Sequence, residues 1–370
     1  MLPVFESMEN RGHEEVVFCN DKDTGLKAII AVHNTTIGPA LGGCRMWDYE
    51  SEADALKDVL RLSRGMSYKA AIAGLNLGGG KAVIIGNSKK DKNEILFRSF
   101  GRFVQGLAGR YITAEDVGTS VKDMEWVRME TRYVTGISRA LGGSGDPSPV
   151  TALGTCSGIK ATVKSQLGKD SLNGLKVGVQ GLGHVGYHLC RYLHREGAKL
   201  YVTDIHEESI KRVVEEFSAS VIGGLDEIYD SEIDIYAPCA LGATLNDDTI
   251  PKLKCSIVAG AANNQLKKEE IHAQMLKDRG ILYAPDYAIN AGGLINVANE
   301  IEGYNRERAF TQAEEGIYDT LMAIYERSEE DDVTTHMAAS KVAKKRIADV
   351  SKLKNVYLPK KNVMGKRDNA

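Results

Sequence analysis

Three ionisable side chains stand in surroundings unusual for them. Lys69 lies in Gly65-Met-Ser-Tyr-Lys-Ala-Ala71, Lys81 in Asn76-Leu-Gly-Gly-Gly-Lys-Ala-Val-Ile84, and Asp116 near the end of Tyr111-Ile-Thr-Ala-Glu-Asp-Val-Gly118. Lysines usually sit in water, and an ammonium among small apolar residues needs a counter-charge. Burial and a neighbouring cation make a lysine give up its proton more readily, which suits a general base. Spacing alone leaves two readings: a pair that moves protons, or buried lysines neutralised by Glu115 or Asp116.

A second constellation is Gly181-Leu-Gly183-His184-Val185-Gly186, placed after the apolar run Lys-Val-Gly-Val-Gln180 and opening a helical stretch. That context separates a dinucleotide fingerprint from a chance match. The first glycine makes a tight turn, the second lets backbone approach a pyrophosphate, and the third allows close helix–sheet packing. The helix N-terminus adds unpaired N–H groups and a positive dipole. Asp204 ends the next strand, where a carboxylate receives ribose hydroxyls and disfavours a 2′-phosphate. With no Arg or Lys at 205 or 206, the cofactor expected is NAD rather than NADP. The plain alternative is a tight turn in a non-binding domain. His184 and His188 are spaced i, i+4 without an evident third ligand, so no metal is expected.

The elements that must position these groups alternate. Strands are expected at Val16–Phe18, Ala28–Val32, Lys81–Ile85 and Tyr111–Ala114. Ser51 caps a helix with a stripe of Ala55, Leu56, Val59, Leu60 and Leu62, and a second helix runs from Asn93 to Leu107. Leu-Gly-Gly-Ser-Gly-Asp-Pro-Ser-Pro149 reads as a linker or hinge, followed by a helix from Thr151 to about Leu167. Beyond it, strands at 175–180, 200–203, 233–237, 256–259 and 281–284 alternate with helices, as in a parallel doubly wound sheet. The stretch 291–350 reads as wholly helical but too long for one helix. The expectation is an α/β protein of two domains separated by a cleft. One is an N-terminal α/β domain over 1–140, completed by C-terminal helices at about 325–370 that pack back. The other is a Rossmann domain over 141–324.

Composition narrows the class. The 370 residues carry 47 Lys+Arg against 50 Asp+Glu, a net charge of −3, which gives no electrostatic footprint for nucleic acid. No apolar run is long enough for a membrane span, and the N-terminus does not read as a signal peptide. Six cysteines without a C-x-x-C pair suit free thiols in a reducing cytoplasm. The basic end, Lys360, Lys361, Lys366 and Arg367, reads as a solvated terminus. The 38 glycines are in excess and clustered, at 42–43, 78–80, 142–143, 181–186 and 292–293, suggesting backbone close to ligands or at positive φ.

Several long motifs in order, GPALGGCRM, GMSYKAAIAGLNLGGGKAVI, YITAEDVG, DPSPVTALG, VQGLGHVG and YAPDYAINAGGLINV, cover nearly the whole chain. On these motifs the sequence resembles the amino-acid dehydrogenases that act on Glu, Leu, Phe or Val, most of all the leucine-acting members. The resemblance implies oxidative deamination of an L-amino acid by NAD and water to a 2-oxo acid and ammonia. It implies that Lys69 holds the substrate carboxylate with backbone at Gly42 and Gly43, that Lys81 is the base activating water, and that Asp116 shuttles protons at the amino group. It places Asn263 or Asn264 at the substrate or nicotinamide, and Thr151 at the cofactor. In the side-chain pocket, glutamate-acting members carry lysine where this chain has Leu41 and serine where it has Val297, which disfavours glutamate. Ala114 matches the leucine type; Leu294 instead resembles phenylalanine- and tryptophan-acting members. The expected substrates are therefore leucine, valine and isoleucine, with an aromatic amino acid as runner-up. A catalytically dead NAD-binding regulator is the remote alternative, and it would need none of Lys69, Lys81 and Asp116. The resemblance further implies a homo-octamer.

Overall fold

The computed structural model describes residues 4–353; the basic end lies outside them. The chain divides into two compact units. The first comprises the residues up to Gly145 together with Val297–Asn305 and the chain from Ala343, and the second comprises Asp146–Asn296 and Arg306–Val342.

The first unit opens with α1 (Val4–Arg11) and an antiparallel pair, β1 (Glu15–Asp21) and β2 (Leu26–Asn34). There follow β3 (Ala40–Trp47), α2 (Glu52–Ile72), β4 (Gly78–Ile85), α3 (Glu94–Gly106), β5 (Tyr111–Glu115) and α4 (Val121–Arg128). The sheet order is β1-β2-β4-β3-β5, with β3 parallel to both β4 and β5. Side chains alternate across the sheet. Ile29, Ala31 and Val83 pack against Ala55, Leu56, Val59 and Leu60 of α2. Ile30, Val32 and Ile84 meet Phe97 and Phe100 of α3 and Met124 of α4 on the other face. Ser51 caps α2 by accepting the Asp54 N–H at 3.2 Å. Leu62, expected in the buried stripe, is only partly buried.

β3 had no counterpart among the expected strands. Gly42 and Gly43 lie inside it, and neither takes a positive φ. A Cβ on Gly42 would come within 1.8 Å of the Gly80 carbonyl oxygen, and one on Gly43 within 2.5 Å of the Glu115 oxygen. These glycines, like Gly78 and Gly79 in β4, are there because neighbouring backbone is too close for a side chain, and Gly80 because the Tyr111 ring is, not because the chain turns.

The second unit starts with α5 (Ser148–Leu167), ended by Gly168 at φ +67°. It continues through β6 (Lys176–Gln180), α6 (His184–Arg195), β7 (Lys199–Thr203), α7 (Glu207–Phe217), β8 (Ser220–Val221), β9 (Ile235–Pro238), β10 (Ile257–Val258), α8 (Glu269–Asp278), β11 (Leu282–Tyr283) and α9 (Asp286–Ile289). Its strands are all parallel, in the order β11-β10-β9-β6-β7-β8. The order reverses between β6 and β9, the switch point at which doubly wound sheets bind ligands. The C-terminal stretch breaks into α10 (Gly292–Ala298), α11 (Arg306–Glu330) and α12 (Thr335–Ser351). α11 lies along α5 where Gly154 and Gly158 leave room for Ile317 and Leu321.

Candidate functional site

In the first unit, Lys81 lies in β4 and Asp116 just past the end of β5. β3 runs between those strands and shows them only the hydrogen atoms of Gly42 and Gly43; a Cβ on Gly43 would stand 2.8 Å from the Asp116 Cβ. Through that gap the Lys81 Nζ meets Asp116 Oδ2 directly. Lys81 is 6% exposed. The loop after β5 is held by Thr119, whose hydroxyl donates to the Cys44 carbonyl at 2.9 Å and accepts the Asp116 N–H at 2.8 Å. Burial pushes the Asp116 carboxyl up, but the Lys81 ammonium and then the Arg45 guanidinium outweigh it and hold it below the ordinary value. The direct contact is a path for a proton between nitrogen and carboxylate.

Lys69 sits in the last turn of α2, partly buried. The end of that helix is fastened by Arg346 of α12. It donates to the Ala71 carbonyl at 2.7 Å, the Gly74 carbonyl at 2.9 Å and Asn76 Oδ1 at 3.2 Å. A guanidinium on the last carbonyls complements the helix dipole. Leu41 and Ala114 are buried in β3 and β5; Leu41 is paired with Ile112, and Gly43 with Ala114. Val297 is partly buried in α10.

Two groups went unread in the sequence. Arg45, Asp58 and Tyr49 form a network behind Asp116, with Arg45 Nη1 at 2.9 Å and the Tyr49 hydroxyl at 2.8 Å from Asp58 Oδ2. Glu300, 2% exposed, accepts the Ser144 N–H at 2.8 Å, the Ser144 hydroxyl at 2.5 Å and the Gly136 N–H at 3.1 Å. Burial raises its carboxyl above the ordinary value despite those donors. The Arg45-Met-Trp-Asp-Tyr49 run and the buried acid after the Gly-Gly motif were visible as residue types, but their partners lie 13 and 156 positions away.

In the second unit the glycine fingerprint occupies the carboxyl end of β6. Gly181 turns the chain at φ +99°. Gly186 lies so close to the Gly181 carbonyl that a Cβ would stand 2.0 Å from its oxygen, while a Cβ on Gly183 would meet nothing within 4 Å. Gly183 caps α6, so the N–H groups of His184, Val185 and Gly186 belong to its first turn. Asp204, after β7, accepts the Leu182 N–H at 2.5 Å and the His206 N–H at 2.8 Å, which ties it to the glycine loop.

The neighbouring carboxyl-end loop, after β10, carries Asn263 and Asn264. Asn263 Oδ1 accepts from Asn290 Nδ2 at 2.7 Å, and Asn264 takes φ +52°. Thr151 lies in the first turns of α5, its hydroxyl donating to the Pro147 carbonyl at 3.0 Å. Gly292 packs on that helix end, where a Cβ would stand 2.6 Å from the Val150 oxygen, and Leu294 follows at 8% exposure. The open space at Gly183, the amides of α6 and the fixed carboxylate of Asp204 fit a dinucleotide's pyrophosphate and ribose. Among the described residues no group of three or more His, Cys, Asp or Glu is placed to hold a metal, and no helix is long and apolar enough to cross a membrane.

A doubly wound parallel sheet with a glycine loop at its switch point, joined in one chain to an α/β unit holding a buried lysine against a partly buried aspartate, is the build of a two-domain dehydrogenase. The chain belongs to the Glu/Leu/Phe/Val dehydrogenase family. The family's dimerisation domain matches residues 13–133, and its glutamate/leucine/phenylalanine/valine dehydrogenase domain matches 142–354. It is 58% identical to the leucine dehydrogenase of Thermoactinomyces intermedius over 96% of this chain and 97% of that one. It is 48% identical to the phenylalanine dehydrogenase of Bacillus thermotolerans over 96% and 93%. The crystal structure of L-tryptophan dehydrogenase from Nostoc punctiforme superposes with a TM-score of 0.86 at 50% identity, covering 94% of this chain and all of that one. Membership of the family implies a small-molecule substrate and a nicotinamide cofactor.

Proposed function

We propose that the protein is an NAD-dependent leucine dehydrogenase. It converts L-leucine, and with it valine and isoleucine, to the 2-oxo acid: amino acid, NAD and water give oxo acid, ammonium, NADH and a proton. The observation that carries the chemistry is the direct Lys81–Asp116 contact, buried beside the glycines of β3 and β4. Lys69 takes the substrate carboxylate, with the backbone of Gly42 and Gly43 beside it. Asp116 removes the proton from the substrate ammonium, because hydride leaves Cα readily only from a neutral amine. NAD, when bound, accepts that hydride. Lys81, having released its own proton to solvent before the step, then takes a proton from water as the water attacks the imine carbon, and Asp116 returns a proton to the departing nitrogen.

Gly181, Gly183, His184, Val185 and Gly186 hold the pyrophosphate, with Thr151, Asn263 and Asn264 toward the nicotinamide. Asp204 holds the ribose and repels a 2′-phosphate. Leu41, Ala114, Leu294 and Val297 are the apolar residues read as setting the side-chain preference; none could pair with a glutamate side-chain carboxylate, which would go unpaired at a cost of roughly 2–7 kcal/mol. The higher identity to a leucine dehydrogenase than to the phenylalanine and tryptophan enzymes favours an aliphatic substrate. Assembly as a cytoplasmic homo-octamer completes the reading; the octamer rests on the family resemblance, and the edge strand β1 with exposed Phe5, Phe18 and Trp47 gives the first unit surface for contact between copies. The test is NADH formation with leucine, valine, isoleucine, phenylalanine, tryptophan and glutamate in parallel, repeated with NADP. Preference for leucine with NAD is expected; faster turnover of an aromatic acid, or of leucine with NADP, overturns that part of the reading.

A further inference from the structure

We propose that Arg45 is a positioning residue for the proton-handling pair, a fixed charge held between two carboxylates that sets how readily Asp116 takes a proton. The inference rests on the reading of Lys81 and Asp116 given above. Arg45 lies in β3, two residues after Gly43. Its Nε lies 3.5 Å from Asp116 Oδ2, a charge contact and not a hydrogen bond. Its Nη1 donates instead to Asp58 Oδ2 at 2.9 Å. Asp58, on α2, is itself fixed by the Tyr49 hydroxyl at 2.8 Å on the same oxygen and by Arg61 Nη2 at 2.9 Å on the other.

That arrangement is not what a simple counter-ion would show. An arginine whose task is to neutralise a carboxylate grips it with two parallel hydrogen bonds. Here Lys81 has the direct place on Asp116, and Arg45 is held off by a bond on its far side. A guanidinium does not release its proton, so Arg45 contributes charge to the pair without entering the proton path. Its positive charge opposes protonation of Asp116, and the negative charge of Asp58 moderates that opposition. Asp58 stays ionised: burial raises its carboxyl, but Tyr49, Arg61 and Arg45 more than compensate. Of the other ionisable groups near Asp116, Cys44 of β3 and Tyr111 of β5 are pushed well up by burial and remain neutral, while Glu115, next to it in the chain, is the same in every variant compared. Lys81, Arg45 and Asp58, with Arg61 behind Asp58, are therefore the charges that matter.

The test is the pH dependence of kcat/KM for leucine oxidation by the full-length enzyme. It compares wild type with Arg45→Gln, Arg45→Lys and Asp58→Asn, with Asp116→Asn as the control on the site itself. The acidic limb follows protonation of Asp116, whose carboxyl the neighbouring charges hold below the ordinary value. Arg45→Gln should move that limb to higher pH by about one unit, the effect of losing an opposite charge a few ångströms away. Asp58→Asn should move it to lower pH, and Arg45→Lys should leave it near wild type even where kcat falls. A general loosening would not displace the limb in opposite directions. Limbs that superimpose on wild type, or that both move the same way, overturn the inference. If Arg45→Gln does not fold, Asp58→Asn decides alone: a downward shift supports the proposal, and no shift or an upward one overturns it. Undiminished turnover in Asp116→Asn would remove the catalytic pair and this inference with it, whereas an inactive Asp116→Asn with superimposed limbs removes Arg45 alone.

Discussion

The glycines beside Lys81 in the first unit and Gly183 of the fingerprint in the second serve opposite purposes. In the first, Gly42, Gly43, Gly79 and Gly80 have ordinary backbone angles and no room: a Cβ would run into the Gly80 oxygen, the Glu115 oxygen, the Ser67 amide or the Tyr111 ring at 1.8–2.7 Å. They let strands and α2 close tightly around a buried lysine and a partly buried aspartate, where charge acts more strongly than in open water. In the second, Gly183 has nothing near it, and Gly181 alone of the three takes a left-handed φ. There the working groups are backbone N–H donors that have to stay open. Side-chain chemistry is bought with packing, and backbone recognition with space.

The largest way to break that contrast is at Lys81. Lys81→Ala should lower kcat by about 10²–10⁴-fold, the usual worth of a positioned acid–base group. NAD affinity, measured by quenching of protein fluorescence, should be unchanged, since the groups that bind it are in the other unit. Near-normal turnover would take the base away from Lys81, and a parallel loss of NAD binding would show that the two units do not divide the work.

Next in size is a pair of identical substitutions within one loop. Gly186→Ala forces a methyl toward the Gly181 carbonyl, 2.0 Å from its oxygen. Overpacking of this kind costs about 1–3 kcal/mol, or a drop in Tm of roughly 2–4 °C per kcal/mol for a domain this size. Gly183→Ala meets nothing in the protein, so Tm should hold while the KM for NAD rises. Thermal scans with NAD titrations on both variants check this. A Gly183→Ala enzyme with unaltered cofactor affinity would mean that the open space is not where the pyrophosphate lies.

The same contrast explains what could be read from the residues. The fingerprint was legible because each of its glycines answers to something local: a turn, an open face, a helix start just after a strand. Asp204 was legible because it follows its own strand directly. β3 was not, because glycines argue against a strand when taken alone, and their reason lies in β4, β5 and α2. Arg45 and Asp58 meet between a strand and a helix, and Glu300 reaches back to Ser144 across 156 positions. Pairings of that kind are set by the fold and leave no spacing to find. Arg346 on the end of α2 is the same case, at a separation of 275.

The smallest expected effect falls on Leu294, where the resemblances to the leucine and aromatic enzymes disagree. The side chain is nearly buried, in a helix whose Gly292 is pressed against the start of α5, so its backbone has little freedom to adjust. Leu294→Val removes one methylene from that side chain, and a methylene is worth about 1–3 kcal/mol in discrimination. Truncation of a buried side chain also costs stability, about 0.5–1.5 kcal/mol for a single methylene; comparing substrates on one variant cancels that cost. The ratio of kcat/KM for leucine to that for phenylalanine should rise about fivefold or more, at the lower edge of that range. A ratio that stays put, in an enzyme that is otherwise intact, places Leu294 in the core of its unit and leaves Leu41 and Ala114 to set the preference.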